Sequence, residues 1–355
     1  MPEQQATLSG LPAEQGDAAV THPRNILLGP QGGGIFLPVC DHYSGVESRM
    51  RKSLQLQAEM IEEFGACVFD VTLDCEDGAP VGAEAEHAAL VVALAAQAGP
   101  GARVAVRVHP ADHPAFGQDM ATIAGSVGHR LCHVMVPKVE GLPDVERAVA
   151  ALDAAGATRL PLHVLIESPG AVHQAFAIAA HPRVQSLSFG LMDFVAAHGG
   201  AIPAEGMGVS GQFTHPLVVR AKLEIASACH AFGKVPSHGV VTEFKDLEAL
   251  RGAAHQAASL LGFTRMWSIH PDQIRPILKA FAPADDEIDT AAGMLIAAEA
   301  AGWAPISFAG KLQDRASYRY YWQVLERAHR TARPLPIDVR GWFAPPQAQD
   351  PLENP

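Results

Sequence analysis

Short apolar runs rich in Val, Leu, Ile and Phe alternate along this chain with longer stretches whose apolar residues recur every three to four positions. The first pattern marks buried strands and the second amphipathic helices. On that basis strands are expected at residues 34–39, 67–73, 103–108, 132–137, 162–166, 185–189, 234–236 and 264–269. Helices are expected at 47–63, 82–97, 142–155, 170–180, 216–232, 244–261 and 271–281. Strand and helix in alternation predict an α/β fold, a (β/α)8 TIM barrel with a C-terminal helical extension. The run at 234–236 is short, so a doubly wound open sheet is the competing arrangement. Beyond the barrel, Ile288, Ala292, Leu295 and Ile296 form one stripe, which predicts a further amphipathic helix over 285–301. The domain expectation is a flexible arm over 1–30, a catalytic barrel over 31–283, a helical extension over 284–332 and a Pro-rich tail over 333–355. No repeat of solenoid length interrupts this order.

Composition narrows the function. Hydrophobic residues make up 48% of the 355 positions and charged residues 18%, ample for a large buried core. A net charge of −12 argues against a general nucleic-acid binder. It leaves an anionic small-molecule substrate open, because a local basic cluster can override the global sign. Cys40, Cys67, Cys75, Cys132 and Cys229 are odd in number and show no CxxC spacing. Neither a disulfide framework nor a zinc knuckle is expected, and a reducing compartment fits. The chain opens with Glu3 and Glu14 rather than a basic-then-apolar leader, and no apolar run is long enough to cross a bilayer. A cytoplasmic protein without a membrane partner is the expectation.

In a parallel barrel the chemistry collects at the C-terminal ends of the strands. Those ends carry Asp74-Cys-Glu76-Asp77, Arg107-Val-His109, Lys138-Val-Glu140, Glu167, Asp193 and His270. Glu167 and Asp193 each close an apolar run, one unit apart, so neighbouring parallel strands would deliver both to one rim. Two hard oxygen ligands with room for water and substrate suit Mg2+. Arg107 presents a planar fork matched to a carboxylate, and Glu76 or Asp77 is placed to orient it. Lys138 and His270 are candidate substrate contacts. The set implies a metal acting as Lewis acid on a 2-oxo or 2-hydroxy acid.

Each signal has a structural alternative. An acid after a strand can be a helix cap, and His270-Pro271 reads equally as a strand-to-helix junction. His109 and His113 stand at i,i+4, but Pro110 and Pro114 spoil a regular helix, so a zinc pair is not expected. The glycines over 29–34 lack dinucleotide-binding spacing, and Gly208-Val-Ser210-Gly211 falls one residue short of a nucleophile elbow.

In order and spacing, several segments resemble the citrate lyase beta-subunit and malyl-CoA lyase family of CoA-ester lyases, within the HpcH/HpaI aldolase group. They are Phe36-Leu-Pro38, Leu73-Asp-Cys-Glu76-Asp77, Val106-Arg107-Val, Val136-Pro-Lys138-Val-Glu140, Ile166-Glu167-Ser, Phe189-Gly190-Leu-Met-Asp193 and the run from Leu261 to Gln273. The resemblance implies Mg2+ on Glu167 and Asp193, Arg107 on the oxo-acid carboxylate, and a homo-trimer or hexamer. It implies that Asp314 serves as acid/base in a neighbouring subunit's site, although Asp314 can also cap a helix beginning near Arg315. The implied reaction cleaves or forms a 3-hydroxyacyl-CoA thioester such as malyl-, citramalyl- or citryl-CoA, giving an acyl-CoA and a 2-oxo acid. Arg51 and Lys52 are then candidate contacts for CoA phosphates. A CoA-independent pyruvate-type metal aldolase and a non-catalytic metabolite-binding barrel are the competing readings. His109 stands where the family commonly has Asn, Cys75 departs from the usual Leu-Glu-Asp, and Ser237 or His238 occupies a commonly acidic position. These polar swaps at the rim bear on substrate more than on fold.

Overall fold

Eight parallel strands close on themselves in the computed structural model, which describes residues 22–29 and 36–343. They are β1 (Cys40–Ser44), β2 (Phe69–Asp74), β3 (Val104–Arg107), β4 (Leu131–Val136), β5 (Leu162–Ile166), β6 (Val184–Phe189), β7 (Val235–His238) and β8 (Arg265–Ser268). Closure comes from β8 pairing with β1, Met266 opposite Cys40. The TIM-barrel expectation holds and the open sheet does not.

β1 is the one strand misplaced by hydropathy. The apolar run at 34–39 lies ahead of it; residues 34 and 35 fall outside the described residues, and Pro38 has no N–H to give a ladder. The strand itself reads Cys-Asp-His-Tyr-Ser, and its polar members made it look like a loop. Asp41 is polar because it turns into a polar barrel interior, whereas His42 and Ser44 lie on the other face and pair with Ser268 and with Ser53 of the following helix. On β2, β4 and β5 the helix-facing positions are apolar, such as Val71, Leu73, Val134, Val136, Val164 and Ile166 in the main core. The positions between them turn inward. Arg265 lies 2.9 Å from Asp41 and 2.7 Å from Asp70, Thr72 donates to Asp41, and His133 stacks on His163 at 3.4 Å. Tyr43, stacked on Trp267 at 4.1 Å, joins Met135 and Leu165 in a separate apolar floor above this polar layer.

The helices between strands are α2 (Glu47–Phe64), α3 (Glu84–Gln97), α6 (Leu142–Ala154), α7 (Pro169–Ala180), α8 (Leu191–Ala196), α9 (Pro216–Ala231) and α10 (Leu247–Ser259), with α11 (Pro271–Phe281) after β8. Between β3 and β4 the chain makes α4 (Phe116–Asp119), a π-helical stretch (Met120–Ala124) and α5 (Gly125–Val127). This crossover was not expected; Gly117, Gly125 and Gly128 dilute its helical pattern.

A second core lies beyond the barrel. α1 (Pro23–Leu28), α12 (Asp285–Ala300), α13 (Arg315–Arg330) and α14 (Ile337–Arg340) pack around Trp322, Tyr318 and Leu295, with the hairpin β9 (Ile306–Phe308) and β10 (Lys311–Gln313) leading into α13. Thus part of the expected arm is helical: Pro23 opens α1, the His22 ring accepts from Arg24 N–H, and Leu27 is buried. Residues 1–21 lie outside the described residues. So do the tail residues from 344 on, whereas α14 gives the start of that tail structure. On α12 the buried stripe runs Ile288, Ala291, Ala292, Leu295 and Ala298, and Ile296 turns outward. No described helix is long and apolar enough to cross a membrane.

Candidate active site

Asp74 ends β2 directly opposite Arg107, which ends β3. Its carboxylate accepts Arg107 Nε–H at 2.7 Å and Nη2–H at 2.5 Å, a fork-to-fork pair. Burial works against the guanidinium charge, but Asp74 beside it outweighs burial and holds the pKa above the usual range. Glu76 lies 3.1 Å from Nη1 and also holds Lys138 Nζ, while Asp77 is 3.7 Å from that same Nζ. The orienting partners of Arg107 are therefore Asp74 and Glu76, not Asp77. Register explains the correction: Asp74 still belongs to the strand, whereas Asp77 has passed into the turn. The N–H groups of Glu76 and Gly78 bond back to Asp74, and a Cβ at Gly78 would sit 2.4 Å from Asp74 Oδ2. The Tyr43 ring lies 5.1 Å from the Arg107 guanidinium.

Glu167 follows β5. Its Oε1 accepts the backbone N–H of Lys138 at 2.6 Å, and Lys138 adopts a left-handed φ of 52° there. Gly190, the first residue past β6, leaves the space the carboxylate needs: a Cβ there would lie 2.5 Å from Glu167 Oε2. Asp193 follows in the first turn of α8. Glu167 is 5% exposed. Burial first, and the Asp193 charge second, push its pKa up to about 8. No salt bridge reaches either acid among the described residues, since Lys138 is taken by Glu76. An uncompensated pair of acids, one of them desolvated, is a donor set that a hard divalent cation would neutralise. The residues present fit Mg2+.

Glu167 and Asp193 share a cavity of about 330 Å³ with Asp74, Asp77, Arg107 and Arg49. Its apolar side is the Tyr43–Trp267 floor with Leu165 and Val240. A second cavity of about 540 Å³ adjoins it through Tyr43, Ser44, Arg49 and Ile269 and extends to Lys52, Phe244 and His270.

The other expected residues are placed as follows. Lys52 lines the adjoining cavity; Arg51 does not, being paired with Glu47 on the outer face of α2. Arg49 was missed, although its signal was present: Arg49 and Lys52 stand at i,i+3 and share a face that Arg51 does not. Lys138 is half-engaged by Glu76 and lines neither cavity. His270 caps α11, accepting from Asp272 N–H, and stacks on Phe244 at 5.3 Å. Asp314 caps α13, accepting from the N–H groups of Ala316 and Ser317, and it is exposed and lines neither cavity. Ser237 and His238 are fully buried inside β7, so they are not rim residues; the strand runs two residues past Pro236. His109 is bound to Asp119 at 2.6 Å and stacked on His113 at 4.3 Å.

The barrel gathers acids and an arginine at one rim, and the proteins similar to this chain are carbon–carbon lyases, the class of enzyme to which it belongs. More particularly, the chain belongs to the HpcH/HpaI aldolase/citrate lyase family, whose model matches residues 54–271. A citrate lyase from Burkholderia xenovorans LB400 is 46% identical, with a TM-score of 0.77 over 91% of this chain and 99% of that one. The L-malyl-CoA/beta-methylmalyl-CoA lyase of Cereibacter sphaeroides (strain ATCC 17025 / ATH 2.4.3) is 30% identical over 237 residues, 61% of this chain and 73% of that protein. The protein CitE from Mycobacterium tuberculosis, solved with magnesium, acetoacetate and coenzyme A, shares the fold at 22% identity and a TM-score of 0.63, over 82% of this chain and 98% of that one.

Proposed function

We propose that this chain is an Mg2+-dependent CoA-ester lyase that cleaves a 3-hydroxyacyl-CoA thioester, of the malyl, citramalyl or citryl type, into an acyl-CoA and a 2-oxo acid, or runs the reverse condensation. The observation that carries the reading is the uncompensated pair Glu167 and Asp193, set beside Arg107 in a cavity that opens onto a second, basic one. The family and the lyases similar to this chain support it, as does the magnesium and coenzyme A found with the M. tuberculosis protein.

Glu167 and Asp193 would hold the metal. Bound there, Mg2+ supplies Lewis-acid stabilisation of negative charge on the oxo oxygen. Arg107 has N–H groups beyond the two given to Asp74, with Glu76 beside it as an ion pair at 3.1 Å, and these would donate to the substrate carboxylate. In the cleavage direction a base, water or a buffer anion reaching the open cavity, takes the hydroxyl proton, the oxygen's electrons form the C=O of the 2-oxo acid, and the carbon–carbon bond breaks. Its electron pair passes to the thioester as an enolate, which takes a proton at carbon. Asp314 from a second copy of the chain is the proposed proton donor, which makes the working enzyme a homo-oligomer. Arg49, Lys52 and His270 line the path for the CoA arm. Five free cysteines suit a cytoplasmic enzyme.

The test is release of 2-oxo acid from malyl-, methylmalyl-, citramalyl- and citryl-CoA, with and without Mg2+, beside the matching free hydroxy acids. Turnover of at least one thioester, lost on chelation, is expected. Turnover of the free acids alone points instead to a CoA-independent aldolase, and no turnover of either set contradicts both.

A further inference from the structure

At the N-terminal end of the barrel, opposite Glu167, a cavity of about 430 Å³ lies between α1, the residues leading into β1–β3, α13 and the turn at 341–343. Its walls are aromatic: Trp322 stacks on Phe343 at 5.1 Å, and Phe36 is partly exposed. They are also basic. The Arg24 guanidinium stands over Phe36 at 4.4 Å and that of Arg330 at 5.4 Å, so two cations converge on one ring. Glu326 is the one carboxylate among the described lining residues, and its Oε1 already accepts from Arg24 Nε–H at 2.9 Å and Trp322 Nε1–H at 2.7 Å. Among the described residues Arg24 Nη2 is buried with no partner, and Arg330 donates only to the Glu326 carbonyl. Burial, and behind it the charges of Arg327 and Arg24, pull the Arg330 pKa below its usual range despite Glu326.

Two half-buried guanidinium groups beside one carboxylate, which pairs with Arg24, leave positive charge uncompensated among the described residues, and an anion would supply what they do not. Flat faces beside them favour a ring on the same ligand. We propose that this cavity binds a planar ring carrying an anionic group, phosphate or carboxylate, with the anion on Arg24 and Arg330 and the ring against the partly exposed Phe36 and Trp342. The cavity is at the far end of the barrel from Glu167 and Asp193, so the assignment stands independently of the lyase reading and the ligand competes with neither metal nor oxo acid.

Calorimetric titration of the full chain with AMP and with benzoate tests the site, and the better binder tells phosphate from carboxylate. Adenosine and inorganic phosphate serve as ring-only and anion-only probes. Saturable binding of AMP or benzoate is expected, with both controls weaker by about tenfold or more. Arg330→Gln and Arg24→Gln should each weaken it by about tenfold or more, whereas Glu167→Ala should bind as the wild type does. If Arg330→Gln lowers the melting temperature, Arg24→Gln carries the comparison. The proposal is overturned by no binding at about 5 mM, by unchanged binding in both arginine variants, or by phosphate binding as tightly as AMP. It is equally overturned if binding appears only once residues 344–355, which carry Asp350 and Glu353, are removed; the chain's own end would then be the occupant.

Discussion

A carboxylate held at a pKa of about 8 must lose a proton before it can take a cation, and Glu167 is in that position. Below that pH the free site is protonated, so Mg2+ affinity should rise by about tenfold per pH unit toward pH 8 and flatten above it. Titration calorimetry in two buffers of different ionisation enthalpy should show close to one proton released per Mg2+ at pH 7; constant affinity across the range would contradict the assignment. The same shift has a stability consequence. The folded-state pKa lies above the ordinary one, so the metal-free protein loses stability as pH rises toward 8, and Mg2+ should raise the melting temperature more at pH 8.5 than at pH 6. Gly190 is tied to this carboxylate by space alone. Gly190→Ala puts a Cβ against Glu167 Oε2, and turnover should fall by about 10²-fold with weakened Mg2+ binding; wild-type Mg2+ affinity in that variant would show the contact to be irrelevant. Glu167, Asp193 and Arg107 were legible because acids and a fork-shaped cation at strand ends stand out against apolar runs. Asp74 was not. Its role depends on the ladder register that sets it opposite Arg107, and register is not written in any local run.

At the scale of single elements, α2 shows what periodicity reveals and what adjacency hides. Arg51 and Lys52 are neighbours in sequence, yet about 100° of helix separates them, and only Lys52 shares a face with Arg49 toward the cavities. Arg49→Ala should raise KM for the thioester by about tenfold with kcat nearly unchanged, while Arg51→Ala should leave both within about twofold. Equal effects of the two would remove Arg49 from the CoA path. The start of α13 poses a sharper question, because Asp314 already has employment as its cap. Asparagine caps a helix as well as aspartate does but cannot exchange a proton. Asp314→Asn should therefore keep the melting temperature and lower kcat by about 10²–10⁴-fold; wild-type kcat would leave Asp314 as a cap and nothing more. β1 was hidden for a related reason: Asp41 enters the polar interior while His42 and Ser44 pair with Ser268 and Ser53 on the other face, so hydropathy placed the strand on the run before it.

Across the whole molecule, the barrel was legible because eight strand-to-strand units repeat one pattern, and its C-terminal rim follows from that topology. What composition could not disclose was the division of the interior. Asp41, Asp70, His133, His163 and Arg265 form a polar lower layer, closed off by the Tyr43–Trp267 floor on which the site rests. Nor did the aromatic and basic run in α13 announce that it would build a second core with α1 and α12, because that packing joins residues nearly three hundred positions apart. At the rim, the proposed function makes Glu167 and Asp193 one seat for a divalent cation. Mg2+ binding measured by calorimetry on wild type, Glu167→Ala and Asp193→Ala at pH 8 tests it most directly. A single site is expected in the wild type, weakened by about 10²-fold or more in each variant. Wild-type affinity in both variants would contradict it.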